Sequence, residues 1–217
     1  MRIDAAGYPF ICGALIVSAL FGWLAGWLAA SPFLILAGFF LFFFRDPERT
    51  IASNADAVLS PADGRVMVAG ATTGQAVPAG GWRQISIFLS PTDVHVNRIP
   101  VSGRVTKVEY RPGRFLPAYK VEAGDLNEFT EVWVDHHGQP VVFRQIVGIL
   151  ARRIVCRARV GDEVKAGDRF GVMKFGSRMD VFLPATAEIL VKPNDRVVGG
   201  VTVIATLMPD GAADGSR

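Results

Sequence analysis

The segment LSPADGRV at residues 59–66 shows the pattern that decides the fold of this chain: a proline and small residues form a turn, and an apolar strand follows at once. The segments PVSGRV at residues 100–105 and PATAEI at residues 184–189 repeat this design. A second turn also occurs twice, as VGDEVKAGD at residues 160–168 and KPNDRVVGG at residues 192–200. Each copy combines a polar turn, a valine and a glycine before the next strand. Such repetition indicates internal duplication.

The chain after Arg49 consists of short runs rich in Val, Ile, Phe and Thr, separated by Gly, Pro and Asp at intervals of about ten residues. No long helical period interrupts these runs. This part is therefore predicted to be mainly β, as a duplicated barrel-sandwich domain that resembles lipoyl- and biotin-carrier modules. The predicted strands are residues 65–69, 84–89, 103–110, 131–134, 141–149, 153–158, 170–174, 180–183, 188–191 and 201–205.

An apolar stretch without charged residues runs from Tyr8 to Phe44. Because a proline can end one helix and open another, we expect the stretch to break at Pro32. The first piece, residues 10–30, is then long enough to cross a hydrocarbon core of about 30 Å. The second piece, residues 32–44, would reach only about 20 Å, so it is either a tilted return span or an interfacial helix. We expect a membrane-inserted helical hairpin, with a cleaved signal peptide as the rival interpretation.

The bulk composition sets limits on partners and location. The net charge of +3 favours an anionic partner such as a phospholipid surface, and no nucleic-acid partner is expected. Arg45 and Arg49 follow the apolar stretch, so the positive-inside rule predicts a domain on the cytoplasmic side of the cell (inner) membrane. Cys12 and Cys156 provide neither a disulfide framework nor a Cys-rich metal site. The expected divisions are an anchor, a β domain and a disordered tail: residues 1–49, 50–208 and 209–217.

Further motifs follow one another in the part of the chain after the apolar stretch. They are FFRDPER at residues 43–49, LSPADG at 59–64, FLSPTDVHVNRIP at 88–100, YRPG at 110–113, NE at 127–128, QIVG at 145–148, ARRI at 151–154 and FGSR at 175–178. In their order and combined spacing they resemble the phosphatidylserine decarboxylase family, specifically its short form with an N-terminal membrane segment. The resemblance covers nearly the whole soluble part.

The pair Gly176-Ser177 is where this resemblance implies self-cleavage. A serine hydroxyl can attack the carbonyl of the preceding residue, and glycine leaves that carbonyl accessible. The resemblance implies that the resulting ester eliminates and hydrolyses, which converts Ser177 into an N-terminal pyruvoyl group. That group would form a Schiff base with phosphatidylserine, release carbon dioxide and yield phosphatidylethanolamine, without a metal or diffusible cofactor. The implied partners are the lipid substrate, the bilayer and the chain's own second fragment, with a higher oligomer left open.

An attacking serine needs a base, and a base needs an orienting acid. His95 and Asp63 lie in the matching motifs, so His95 is predicted to be the general base or acid and Asp63 to orient it. Longer bacterial members of the family carry a second histidine three residues after the first, where this chain has Arg98. One histidine would then serve both self-cleavage and decarboxylation, or another donor such as water or Asp93 would serve one of them.

Arginine is the natural ligand for the phosphate and carboxylate of the substrate, because a guanidinium grips either anion with two hydrogen bonds. Arg98, Arg114 and Arg178 are the main candidates, and further arginines in or near the motifs are Arg111, Arg152 and Arg153. His136 and His137 are predicted to form a hairpin turn and to have no catalytic role.

Two functions from other classes compete with a decarboxylase. Carrier modules present a modified lysine on a hairpin beside methionine, and Met173-Lys174 would suit a biotin or lipoate carrier that is modified at Lys174. The second methionine of such a motif is missing. A membrane-tethered adaptor with an intact, unmodified chain is the other alternative.

Overall fold

The computed structural model describes residues 2–51, 54–72, 77–149, 153–174 and 176–208. The predicted tail, Arg152 and Phe175 lie outside these ranges. The helices are a 3-10 turn at Ala5–Gly7, α1 at Tyr8–Ala25, α2 at Trp27–Phe43 and α3 at Ala123–Leu126. The strands are β1 Arg2–Ile3, β2 Arg45–Asp46, β3 Ala57–Leu59, β4 Gly64–Ala71, β5 Trp82–Leu89, β6 Val96–Arg98, β7 Gly103–Arg111, β8 Phe129–His136, β9 Gln139–Ile146, β10 Ile154–Cys156, β11 Glu163–Val164, β12 Arg169–Met173, β13 Ser177–Pro184, β14 Glu188–Ile189, β15 Arg196–Val197 and β16 Val203–Thr206.

The domain is mainly β, as predicted, and its largest element is a curled antiparallel sheet of eight strands in the order β11-β7-β8-β9-β13-β5-β4-β15. Two three-stranded sheets, β10-β12-β6 and β14-β16-β3, complete it. Because side chains alternate along a strand, the central strands β5 and β13 send every second residue into the main core. In β13 these residues are Met179, Val181 and Leu183. Every predicted strand is confirmed in position, with ends that differ by a few residues.

The hairpin turn predicted around His136 and His137 is also confirmed. β8 ends at His136, and β9 begins at Gln139. His137 and Gly138 between them have φ values of 53° and 88°. A two-residue turn with positive φ at both positions matches the right-handed twist of the strands that it joins.

Gly64 and Gly103 occupy equivalent positions at the starts of β4 and β7. Their φ values are 157° and 153°, and a Cβ at either position would overlap a backbone carbonyl oxygen of the neighbouring strand, at Phe88 or Asp135. A residue with a side chain cannot take either place without moving that strand. The glycines of the first repeated turn are thus required by close backbone approach.

The two polar turns of the second repeat also make equivalent hydrogen bonds. The N–H of Val66 donates to the carbonyl of Asp195, and the N–H of Val105 donates to the carbonyl of Asp162, both at 2.9 Å. In each turn the aspartate carboxylate accepts a hydrogen bond from the N–H three residues earlier, at 2.9 and 2.8 Å. The same local chemistry therefore closes the sheet edge at β15 and at β11.

The predicted hairpin is present, but its break was misplaced. The chain turns at Gly26, which has a φ of 84° and separates α1 from α2. Pro32 lies inside α2 instead. It cannot donate a hydrogen bond to the carbonyl of Leu28, and the Ser31 hydroxyl donates to that carbonyl at 2.9 Å. The proline is therefore tolerated near the start of the helix, and the second helix is longer than predicted, at 17 residues.

The two helices pack side by side along their length. The Phe10 and Phe40 ring centroids are 5.5 Å apart near the domain, and those of Phe21 and Phe33 are 5.0 Å apart near the turn. Ala5–Ala25 is long and apolar enough to cross a membrane. The outward faces expose large apolar side chains, among them Ile16, Trp23, Trp27 and Ile35.

Ion pairs to two buried carboxylates fasten the base of this hairpin to the β domain. Asp46, at the end of β2, pairs with Arg98 at 3.2 Å and with Arg169 at 2.5 Å. Asp4, before α1, accepts two hydrogen bonds from Arg157 at 2.7 and 3.0 Å. Both carboxylates are buried, and Arg98 is buried as well, so breaking the Asp46–Arg98 pair would be strongly destabilising. The orientation of the hairpin on the domain is therefore fixed.

Gly103→Ala should lower the free energy of unfolding by about 3 kcal/mol or more, because its Cβ would collide with a strand backbone at a φ that favours glycine. Gly81→Ala is the matched control, since a Cβ there meets only the Ala185 side chain at 3.9 Å. The free energies of unfolding of the two variants are compared by denaturant unfolding in detergent, with circular dichroism as the signal. Equal stabilities would contradict the role of close backbone approach.

Candidate active site

Ser177 is the first residue of β13 and pairs with Leu89, the last residue of β5. Its side chain is fully buried, and its hydroxyl has no hydrogen-bond partner among the described residues. A buried hydroxyl without a partner is uncommon in a folded protein and marks a candidate functional group. Gly176 before it has a φ of 73°, which turns the backbone out of the strand direction at the bond that the sequence predicts to be cleaved.

The carbonyl group of Gly176 packs directly against Gly148. A Cβ at Gly148 would overlap the Gly176 carbonyl oxygen and lie 3.2 Å from the carbonyl carbon. It would also lie 3.3 Å from the Cβ of Ala118. Gly148 is thus the residue that leaves room for the predicted scissile carbonyl. Its place in the QIVG motif gave the sequence signal, but only the structure shows what the glycine touches.

A buried asparagine holds the backbone around Gly148. The side-chain amide of Asn127 donates to the carbonyls of Val147 and Leu116, both at 2.8 Å, and accepts from the Leu116 N–H at 2.9 Å. It joins the end of β9 to the segment before α3. Because Val147 directly precedes Gly148, these hydrogen bonds help to fix the position of the glycine against the Gly176 carbonyl.

His95 is buried, and its tautomer follows from its contacts. The Nδ1 atom lies 2.9 Å from the backbone carbonyl of Asp93, which can only accept a hydrogen bond, so Nδ1 carries the proton. Nε2 is then an unprotonated nitrogen, and it has no partner among the described residues. Burial lowers the pKa of His95 from 6.5 to about 4. The ring centroid lies 4.1 Å from that of Phe43 at the end of α2.

The connection from Met173 to Ser177 brings the histidine motif and the serine motif together. The N–H of Met173 donates to the carbonyl of His95 at 3.3 Å, and four residues later Ser177 pairs with Leu89. Both ends of the Met173 to Ser177 connection are therefore held by the segment from Leu89 to His95. No hydrogen bond between the side chains of His95 and Ser177 occurs in the described part of the chain.

Asp63 does not orient the imidazole in this structure. Its carboxylate accepts from the Arg49 guanidinium at 2.6 and 2.8 Å and from the Gly199 N–H at 2.8 Å. Its charge still acts on His95 and favours the protonated ring, although more weakly than burial opposes it. The backbone of Asp93 takes the orienting place that we predicted for Asp63, whose catalytic role stays a prediction. Arg49, the partner of Asp63, closes the FFRDPER motif and was not predicted to belong to the site.

The three candidate arginines have different environments. Arg178 is buried and donates to both oxygens of Asp180 at 2.6 and 2.9 Å. Arg98 is buried as well and binds Asp46 and two backbone carbonyls. Arg114 is exposed to solvent. Of the three, Arg114 has the guanidinium that an anionic ligand can reach directly.

Lys174 does not lie at the tip of a hairpin. It follows β12, is partly buried, and places its Nζ 4.6 Å from the centre of the Phe10 ring in α1. Burial lowers its pKa, and Arg153 lowers it further. This contact attaches the lysine to the helical hairpin, whereas a carrier lysine must extend freely. Among the described residues no cluster of three or more His, Cys, Asp or Glu side chains is suited to hold a metal ion.

Comparison with known proteins gives one consistent result. The family model of phosphatidylserine decarboxylase matches residues 36–205. The chain is 45% identical to the phosphatidylserine decarboxylase proenzyme of Solibacter usitatus (strain Ellin6076), over 94% of this chain and 97% of that one. It is 46% identical to the proenzyme of the same name from Symbiobacterium thermophilum, over 94% and 95% of the two chains. The corresponding protein of Nitrosomonas europaea is 42% identical over 94% of each chain.

Gly148→Ala should slow the predicted cleavage between Gly176 and Ser177 by roughly 10- to 100-fold, because its Cβ forces the Gly176 carbonyl to turn away. The appearance of two fragments after synthesis, followed by gel electrophoresis, measures the rate. Gly81→Ala is again the control, and circular dichroism should show that both variants fold. A normal rate in folded Gly148→Ala would contradict the positioning role.

Proposed function

The chain belongs to the phosphatidylserine decarboxylase family, and from that membership we propose that it cleaves itself between Gly176 and Ser177 and then decarboxylates phosphatidylserine to phosphatidylethanolamine. The observation that carries the proposal is the buried, unpartnered hydroxyl of Ser177 directly after a glycine with positive φ. The word proenzyme in the names of the relatives also supports a processed chain.

The first step of self-cleavage is an attack of the Ser177 hydroxyl on the carbonyl carbon of Gly176. Nε2 of His95 accepts the hydroxyl proton, which agrees with its unprotonated state and lowered pKa. The carbon–nitrogen bond of the peptide then breaks, the amine of residue 177 takes up a proton, and an ester joins Gly176 to the side chain of Ser177. Elimination releases the Gly176 carboxylate, and hydrolysis with loss of ammonia leaves a ketone at residue 177.

The pyruvoyl group formed in this way supplies an electron-accepting carbonyl for the loss of carbon dioxide from the substrate. The residues present fit it, since the hydroxyl from which it derives is buried and free of competing hydrogen bonds among the described residues. His95 is suited to hold and return a proton at Nε2, with Asp63 acting on its charge. Arg114, being exposed, is the candidate to bind an anionic group of the lipid headgroup.

The helical hairpin is proposed to anchor the domain in the cell membrane, with the domain on the cytoplasmic side. Its outward apolar side chains would face water in a soluble protein, whereas a bilayer would cover them. Small residues at the contact between α1 and α2 suit close packing of helices in lipid. They are Ala14, Ser18, Ala30 and Ala37. Arg45 directly after the hairpin supports the orientation.

The β domain is proposed to derive from a duplicated carrier-like module. The support is the paired set of contacts described above, in which Gly64 corresponds to Gly103 and Asp195 to Asp162. The alternative function as a biotin or lipoate carrier has no such support. The contact of Lys174 with Phe10 holds this lysine against the hairpin.

Intact-mass spectrometry of the purified protein should find two fragments, the smaller one beginning at residue 177 with a pyruvoyl group. Ser177→Ala should give a single uncleaved chain, because the nucleophile is missing. Ser102→Ala, a change at an exposed serine, should cleave normally. A single chain in the folded parent protein would overturn the proposal and direct attention to added mass on Lys174.

The rate of self-cleavage should stay nearly constant as the pH falls from about 7 to about 5. It should then decrease through about pH 4, because a histidine with a lowered pKa stays in its basic form until the pH reaches that value. The rate of self-cleavage is measured on freshly synthesised chain in buffers of different pH. The His95→Gln variant should cleave slowly at every pH. A midpoint near 6.5, the ordinary value for histidine, would contradict the role given to burial.

A further inference from the structure

A set of exposed apolar side chains lies in the segment that adjoins the candidate active site at Ala118. Among the described residues after Asp46, all exposed large aromatic side chains lie between residues 110 and 119. Exposed aliphatic side chains occur in the segment that follows and in the loop after β9. We call this set the apolar rim, and it consists of Tyr110, Phe115, Tyr119, Val121, Leu126 and Ile149.

The rim is held firmly on its inner side, so its exposure does not come from a loose loop. The Asn127 amide binds Leu116 in its middle, at 2.8 and 2.9 Å. The Tyr119 ring packs edge-on against Phe88, with centroids 6.0 Å apart. The carbonyl of Lys120 accepts a hydrogen bond from Arg178 at 3.4 Å. Fixed apolar side chains that point outward mark an interaction surface.

The position of the rim indicates what covers it. The active site lies between the rim and the base of the hairpin: Gly148 and Ala118 on the rim side adjoin the Gly176 carbonyl, while His95 contacts Phe43 on the hairpin side. A surface that meets both the hairpin base and the rim would therefore extend across the region that contains Ser177. A lipid bilayer is such a surface, and it contains the proposed substrate.

The composition of the rim also suits the boundary between headgroups and acyl chains. Tyrosine and phenylalanine beside aliphatic residues favour that boundary. The exposed Arg114 and Lys120 on the same segment can reach lipid phosphates. The exposed Glu122 partly offsets their charge, so apolar contact rather than attraction to anionic lipid dominates.

We propose that the apolar rim inserts into the headgroup boundary of the bilayer that the hairpin enters, as a second membrane contact that encloses the active site against the membrane. This inference rests on the proposed function. It assigns the rim to entry of the lipid, and it gives the rim no part in self-cleavage or in proton transfer.

Site-specific fluorescence tests the contact in full-length, self-processed protein. Val121→Cys, made after Cys12→Ala and Cys156→Ala, carries an environment-sensitive nitrobenzoxadiazole label in nanodiscs of phosphatidylcholine and phosphatidylglycerol. Val160→Cys is the matched control, because the two valines are 60% and 64% exposed. We expect a blue-shifted emission that nitroxide-labelled lipid quenches at position 121, and neither effect at position 160. Water-like emission at position 121 would overturn the proposal.

Steady-state kinetics distinguishes a role of the rim in lipid entry from a role in catalysis. The double variant Phe115→Ser with Val121→Ser should raise the apparent KM for phosphatidylserine in bilayers roughly 3- to 10-fold, as expected for a lost apolar contact. The value of kcat, the extent of self-cleavage and the turnover of a dispersed short-chain substrate should not change. An unchanged KM in bilayers would contradict the proposal. Absence of decarboxylation in the parent protein would instead refute the proposed function, and the fluorescence result would still decide the membrane contact.

Discussion

The pairing of β13 on both of its edges is the constraint on which the rest of this structure depends. β5 pairs with it along its whole length, from Ser177 opposite Leu89 to Pro184 opposite Trp82, and β9 pairs with it from Arg178 to Phe182. One face of β13 enters the main core, and the other carries the buried Arg178 and Asp180 pair. A strand fixed in this way cannot slide, because a shift of one residue would bury the charged face in the core. The backbone that follows Ser177 is therefore held in place, and the positive φ of Gly176 turns the chain just before the predicted cleavage bond.

Most of the fold could be predicted from the sequence, because its strands depend on local patterns of apolar residues and turns. The repeated turns placed the strands, and the dipeptide at His137 and Gly138 placed a hairpin. The break in the apolar stretch could not be located in this way. Pro32 is the stronger helix breaker, but it lies near a helix start where a neighbouring hydroxyl satisfies the free carbonyl, and Gly26 takes the turn instead.

The candidate site was less predictable, because its contacts join residues far apart in the sequence. The motifs indicated Ser177, Gly176, His95 and Asp63, yet they did not show that Arg49 binds Asp63 or that a backbone carbonyl orients His95. Arginine is equally common in binding sites and in buried ion pairs, so sequence alone could not separate the exposed Arg114 from Arg98 and Arg178. The ion pairs of the buried Asp4 and Asp46 likewise depend on long-range partners, and they attach the hairpin to the domain.

Cleavage at the start of β13 would also affect how the protein folds and how long its two fragments stay assembled. If the bond before Ser177 is cut, the smaller fragment contributes the central strand β13 and the edge strand β15 to a sheet whose other six strands belong to the larger fragment. The cut adds no freedom while the sheet is intact, because every interstrand hydrogen bond of β13 remains. Once the two pieces separate, however, their reassembly becomes a second-order reaction that competes with aggregation. The processed protein would then stay assembled because its two fragments dissociate slowly. The single uncut chain would be the form that can fold by itself at high dilution.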